Sequence, residues 1–212
     1  MEQMPNQKNR TTNREYRGMT MQISSNESNE NSYLVQGYAT TFNQEYTLYN
    51  GRYYKVIEVI DPNAFDECDM SDVIMQYDHE GRVFARTKNN TLEVSTDSIG
   101  LLIKANLGGT DMGKQLYQEI KGGYTDKMSF GFVVAEDERT YTNDYENDVE
   151  ICTRRITKIS KLYDVSAVSI PANDMTTISA RSYSDGVIAE LEAERLQRAR
   201  TRLKLKIKMM EV

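Results

Sequence analysis

The stretch RVFARTKNNTLEVSTDSIGLLIKANL, Arg82 to Leu107, decides the fold class. It reads as two or three β-strands in succession, rich in β-branched and aliphatic residues. The Asn89-Asn90 pair supplies one tight hairpin turn and Ser98 to Gly100 another. The same texture extends in both directions. On the N-terminal side, SYLVQGYATTFN (Ser32 to Asn43) sets Tyr33, Val35 and then Tyr38 as a strand, broken at Gly37 by a bulge. RYYKVIEVIDPNAF follows. Tyr54, Val56 and Glu58 project to one face and Tyr53, Lys55, Ile57 and Val59 to the other, the period of a second strand. Asp61-Pro62 stops it, with Asp61 placed to cap a short helix beginning at Pro62. DVIMQYDH reads as a buried strand that runs into His79.

On the C-terminal side, TDMGKQLYQEIKGGY repeats Leu116, Tyr117 and Ile120 at helical spacing and ends at Gly122-Gly123, so a helix is expected there. MSFGFVVAEDERTY is a strand with Gly131 inside it. Residues 136–150 are acidic and turn-rich, which predicts a loop. ICTRRITKISKLYDVSAVSIP carries two strands' worth of β-branched residues and is closed by Pro171. The expected fold class is mostly β with packed helices (α+β), and several short strands suggest a barrel or closed sheet.

The two ends differ from this body. Residues 1–31 are dense in Asn, Gln, Ser and Thr and poor in aliphatics. They cannot bury enough surface to offset the entropy of ordering and read as a polar, mobile leader. Residues 32–180 form the expected domain, and 181–212 a charged tail. In that tail Ala189, Leu196, Leu203 and Met210 recur every seven residues, and acids precede bases in the sense that complements a helix dipole. LKLKIKM, Leu203 to Met209, alternates instead as a strand would. The strongly helical content of the tail favours an amphipathic helix.

Composition narrows the function classes. No run of 18 or more apolar residues occurs, and the polar N-terminus lacks the apolar core of a secretory signal. Cys68 and Cys152 are too few for a disulfide framework, which suits a reducing compartment. With one histidine and no CxxC, a zinc site would lack its fourth ligand. The formal charge of −6 divides into +2 over residues 1–20, +3 over 181–212 and −11 between them. An acidic body argues against nucleic acid as the main partner, because phosphate binding needs clustered Lys and Arg.

The chemistry turns on the single histidine. His79 stands in QYDHEGRVFA between Asp78 and Glu80. Histidine is the side chain whose ordinary pKa suits proton transfer near neutrality. In any serine mechanism here the base can only be His79, since nucleophilic serine needs a base and the base needs an orienting partner. Ser129, in KMSFGF, follows a Gly-Gly turn and precedes Gly131 at the start of an apolar strand, where a hydroxyl can be presented. A serine at a strand start is more often structural, and a lone histidine more often a surface or core residue. Residue types alone leave the question open. Cys68, in DECDM, is a rival nucleophile, but its acidic setting blunts a thiol. The acidic cluster 66–72 lacks the glycine and final Glu of a calcium loop.

The order and spacing of GYATTFN, DPNAF, YDHEGRVFAR, LEVSTDSIGLLIKANL, IKGGYTDKMSFGF and ITKISKLYDVSAVSIPAN resemble the prohead proteases of tailed bacteriophages. These serine proteases trim scaffold and capsid proteins during head maturation. The resemblance runs from about Tyr33 to Asn173. It implies a β-barrel surrounded by helices, similar to the herpesvirus maturation proteases, with neither cofactor nor metal. It implies His79 and Ser129 as catalytic residues. It also implies Asp164 as the third, since family members usually carry an acid before Val-Ser in the last motif. Asp78 and Glu80 compete for that orienting role, although neighbours in an extended strand point to opposite faces. Residue types assign no oxyanion donors: amides near Ser129 are candidates, and the resemblance adds the region of Arg154-Arg155, whose other reading is a solvent-facing strand paired with the acidic 136–150 segment.

The expected partners are scaffold and major capsid protein as substrates, with self-cleavage and self-association alongside, and no nucleic acid or membrane. The expected place is the assembling prohead in the host cytoplasm. The alternative is a non-enzymatic head-assembly component with the same fold.

Overall fold

The computed structural model describes residues 14–19, 24–25, 33–169 and 178–210. Along them run β1 (Glu15–Met19), β2 (Ser24–Ser25), β3 (Leu34–Thr41), β4 (Tyr46–Asn50), β5 (Tyr54–Ile60), β6 (Ile74–Tyr77), β7 (Glu80–Arg86), β8 (Leu92–Thr96) and β9 (Gly100–Asn106). Helix α1 (Asp111–Lys121) comes next, then β10 (Lys127–Asp144), β11 (Val149–Val168) and α2 (Ile178–Met210). The protein is mostly β with two helices. The quoted stretch becomes part of β7, then β8 and β9. A 3-10 turn over Thr87–Asn89 and a left-handed Asn90 connect the first pair. In the second connection Asp97 Oδ1 accepts from the amides of Ile99 (2.7 Å) and Gly100 (3.0 Å).

The strands form two sheets and not the closed barrel that many short strands suggested. One sheet has seven strands, ordered β1-β10-β11-β5-β4, with β6 also pairing with β11 and β7 with β6. The other has four, ordered β2-β3-β9-β8. What replaces many short strands is one very long hairpin. β10 and β11 pair antiparallel from Lys127↔Val168 out to Asp144↔Val149. The expected loop at 136–150 is therefore mostly hairpin arm. Thr140, Tyr141 and Thr142 are good strand formers, and they pair with Thr153, Cys152 and Ile151. The segment read as two strands is the single strand β11. Its first half takes β5 as a parallel neighbour and its second half takes β6. Register shifts between Gly131 and Asp137 let so long a ribbon twist.

Other expectations shift locally. The bulge in β3 falls between Tyr38 and Thr40, beyond Gly37. No helix forms at Pro62; residues 62–67 are turns, and Asp61 Oδ1 accepts from the Asn63 amide at 3.0 Å. Helix α1 is capped by Thr110, whose side chain accepts from the Gly113 amide, and Gly123 turns the chain away at φ 74°. The segment read as a leader contributes β1 and β2, while residues 1–13, 20–23 and 26–32 lie outside the described residues. So do Ile170 to Asn173 of the last motif.

The main core lies between the sheets. Val35, Leu101 and Ile103 meet Phe130, Phe132, Ile156 and Leu162, and Leu116, Tyr117 and Ile120 of α1 close one side. Phe130 and Phe132 stack at 4.5 Å. Each such ring contributes about 1.5–3 kcal/mol on burial. A second cluster attaches α2, with Val187 and Leu191 packed on Leu48, Tyr54, Val56 and Cys152. Farther along α2, Leu196 and Leu203 are exposed, so the seven-residue apolar repeat does not form a docked stripe. Among the described residues no helix is long and apolar enough to cross a membrane.

Candidate active site

Strand pairing brings four positions together. Ser129 on β10 lies opposite Ser166 on β11, and Gly131 lies opposite Asp164. Positions two apart share a face of a strand, so both β11 side chains and the Ser129 hydroxyl gather on one side. β6 flanks the same part of β11, with Gln76 beside Ser166 and Tyr77 beside Ala167. The chain then turns back over this face at Asp78-His79.

That turn is the first surprise of the site. Tyr77 pairs with Glu80, which leaves a two-residue hairpin loop. Asp78 has φ 46° and His79 φ 61°, both left-handed, the signature of a type I′ turn. Asp and His enter this region more readily than most residues. A non-glycine there still costs about 1–3 kcal/mol. Hydrogen bonds to the end of β11 hold the turn: the Asp78 amide donates to the Ala167 carbonyl at 3.0 Å, and the Asp78 carboxylate accepts from the amide and hydroxyl of Ser169, both at 3.0 Å. The histidine is thus not in extended backbone, and the alternation argument against its neighbours does not apply. What separates them from it is engagement. Asp78 is bound to Ser169, and Glu80 is exposed.

The imidazole reaches both sides of the β10–β11 ladder. Its Nδ1 is hydrogen-bonded to Asp164 Oδ2, and its Nε2 lies 2.5 Å from Ser129 Oγ. Ser166 Oγ donates to the same Asp164 oxygen at 3.2 Å. Among the described residues none donates a hydrogen bond to Asp164 Oδ1, and Arg14 stands 3.5 Å from it. A methyl group at Gly131 would sit 2.4 Å from that oxygen and 2.7 Å from the Tyr16 ring, so the site needs a glycine there. The structure therefore brings His79, Ser129 and Asp164 into one hydrogen-bonded line. A carboxylate can hold the ring in one tautomer, the ring can take a hydroxyl proton, and the oxygen so freed can attack a carbonyl.

Two further residues, Arg17 and Glu58, lie near the site. Ser129 is 0 % exposed because β1 lies beside β10, with Gly18 opposite Ser129 and Tyr16 opposite Gly131. The Ser129 hydroxyl is 2.8 Å from the Arg17 carbonyl oxygen, and the Tyr16 ring meets the His79 ring edge-on at 4.4 Å. The Arg17 side chain, 1 % exposed, ends on Glu58, which is 0 % exposed. Its Nε is 2.5 Å from Glu58 Oε1 and its Nη2 2.8 Å from Oε2. Arg154 shares Glu58 at 3.0 Å and also binds Asp137 at 2.7 Å and Glu15 at 2.8 Å. Burial alone would lower the Arg17 pKa, but the Glu58 and Glu15 carboxylates outweigh it and hold the guanidinium charged.

Glu58 did carry a signal: one acid in the apolar strand KVIEVI, on the face shared with Tyr54 and Val56. Arg17 carried none, being one base in a polar segment. The oxyanion candidates also move. Arg154 is committed to this buried network, and Arg155 to Asn43 and Asp61, each at 3.0 Å.

The rival sites are elsewhere. Burial pushes the Cys68 thiol up to about 11, and both cysteines are free. Among the described residues no group of three or more His, Cys, Asp or Glu is placed to hold a metal ion. A cleft of about 540 Å³ opens at the far end of the long hairpin, between Tyr53, Asp148 and Glu150 and α2 residues Arg195 and Arg198, away from the histidine.

A hydrogen-bonded Asp–His–Ser line on a β-sheet is the arrangement of a serine peptidase. The family model described as caudovirus prohead serine protease matches residues 19–187, and the chain belongs to that family. No curated protein and no solved structure matches it. Membership gives the chain a protease role in phage head maturation, with capsid-related protein as its substrate and the assembling capsid as its setting.

Proposed function

We propose that this chain is a serine endopeptidase that cuts scaffold, major capsid protein or both within the assembling head, with Ser129 as nucleophile, His79 as general base and Asp164 as the group that orients it. The observation that carries this reading is the continuous contact from Asp164 through both ring nitrogens of His79 to Ser129 Oγ. His79 takes the hydroxyl proton as Ser129 Oγ bonds to the scissile carbonyl carbon. It returns that proton to the departing amide nitrogen. Water then enters by the same relay and releases the ester. Asp164, 1 % exposed and bonded to Ser166, stabilises the imidazolium that forms twice in each cycle.

Residues 32–180 serve as the protease domain in this reading, with β1 as an added strand and α2 as a tail. The mostly-β body with helices at its margin is in keeping with a herpesvirus-protease-like relationship. The test is co-expression with the cognate capsid and scaffold proteins, followed by intact mass spectrometry. Truncated substrates are expected from wild type and full-length ones from Ser129→Ala. Equal processing by both would move the chain to the class of non-enzymatic assembly components.

A further inference from the structure

We propose that β1 occupies the substrate groove of this enzyme as a bound segment of its own chain, that the bond between Arg17 and Gly18 is a self-cleavage site, and that buried Glu58 selects a basic residue on the acyl side of the cut bond. The proposal rests on the serine-peptidase reading above and assigns its specificity.

Three observations converge. First, β1 adds to β10 antiparallel, with residue 18 opposite the nucleophile, the way an extended peptide docks on a sheet edge. Second, one carbonyl of that strand, that of Arg17, lies against the Ser129 hydroxyl at 2.8 Å. A network serving only stability has no reason to lay a member's carbonyl on that hydroxyl. Third, the side chain on the same residue is swallowed. It passes the Phe132 ring, with the guanidinium carbon 5.7 Å from the centroid, and ends in a two-point contact with Glu58.

Charge says what the pocket wants. With β1 removed, fully buried Glu58 keeps one cation among the described residues, Arg154, which it shares with Asp137, while Asp137 also meets Arg139 at 3.7 Å. Both Glu58 oxygens lose the fork of Arg17. A basic side chain from any peptide fills that place again, and arginine meets both oxygens.

The same geometry explains how the strand restrains the enzyme. With β1 in place Ser129 is fully buried, so no other peptide reaches it. The serine has one proton and two acceptors in reach, His79 Nε2 and the Arg17 carbonyl. While the carbonyl takes it, the oxygen is not activated. Cleavage begins when the proton passes to His79. Ser129 Oγ then bonds to the Arg17 carbonyl carbon, the Arg17–Gly18 C–N bond breaks, and His79 protonates the Gly18 nitrogen. Water hydrolyses the Arg17 ester, leaving a carboxylate on residue 17 and a new amino terminus at Gly18.

The test follows the purified full-length chain by intact mass and N-terminal sequencing, wild type beside Ser129→Ala. In parallel the wild-type chain is given peptides spanning residues 12–23 with Arg, Lys, Gln or Glu at position 17. The expected result is a chain beginning at Gly18 from wild type only. The Arg peptide is cut about 100-fold faster than the Gln or Glu peptide, as for a buried charge pair with one partner removed. Glu58→Gln lowers the Arg-over-Gln preference at least tenfold, and the peptide series stands without it if that variant does not fold. Cutting that depends on Ser129 but falls after non-basic residues, with bond 17–18 intact, overturns this proposal and leaves the protease reading in place. Absence of any Ser129-dependent cut, in these peptides or in capsid-related protein, removes both.

Discussion

At the scale of single residues, Ser129 and His79 meet directly, whereas Asp164 reaches Ser129 through the ring. In the proposed mechanism Asp164 acts through His79, so Asp164→Asn should keep the fold yet lower kcat on a peptide substrate by about 10³–10⁴-fold, because the amide favours the wrong ring tautomer. A drop of less than tenfold, measured by steady-state hydrolysis, would remove Asp164 from the line. How much of this could be read beforehand follows from chemistry. A chain with one histidine exposes its only neutral-pH base, so His79 stood out from composition. Ser129 and Asp164 did not: serine at a strand start and aspartate before a β-branched run are common, and their sequence resemblance to a family singled them out. Arg17 was invisible, since its burial is ionic and hydropathy does not register a cation that finds a buried carboxylate. Glu58, an acid within KVIEVI, was the legible half of that pair.

Single elements show why patterns succeed or fail. Helix α1 was readable because its apolar spacing and its glycine stop agree, and the Thr110 cap of the folded helix points the same way. The inner arms of the long hairpin were readable as strands, but its outer end was not, because acidic residues at 136–150 suggest a loop when their basic partners are out of view. Arg154, opposite Arg139 in the folded ribbon, reaches diagonally to Asp137 and supplies the missing charge. β1 is held in the same way, and this gives it a pH dependence. Burial pushes Glu15 up, but the hydrogen bond from Arg154 and the charge of Arg17 outweigh it, so its pKa in the fold lies below the ordinary carboxylate value. A depressed carboxylate stabilises the fold above its unfolded pKa, and that contribution is lost as pH falls through the folded value. In Ser129→Ala protein, where the proposed self-cleavage is blocked, amide protection of residues 15–19, corrected for intrinsic exchange, should therefore fall as the pH drops below the ordinary carboxylate value of about 4.5. Unchanged protection below that value would show that Glu15 does not hold the strand.

Across the whole molecule, the long hairpin carries the architecture. It joins β1 to β5 and β6 within one sheet and lends its inner face to the other. Counting short strands suggested a barrel, but strand count alone does not reveal that β10 and β11 are single ribbons of 18 and 20 residues. Among its described side chains, helix α2 meets this body between Val187 and Arg198, by apolar packing at Val187 and Leu191 and by ion pairs at Glu190, Arg195 and Arg198. Leu191→Ala should destabilise the protein by about 2–5 kcal/mol, whereas Leu196→Ala should stay within about 0.5 kcal/mol. Chemical denaturation of both variants measures this, and equal losses would mean that α2 packs along more of its length.

The central claim, that His79 and Ser129 act as one unit, is tested most directly by the kinetics of Ser129→Ala, His79→Ala and the double variant on one peptide substrate. Groups that form one nucleophile are grossly non-additive. Each single change should remove activity to the same low residual rate, and the double variant should be no worse. Losses that multiply in the double variant, or substantial activity left in either single one, would contradict the account.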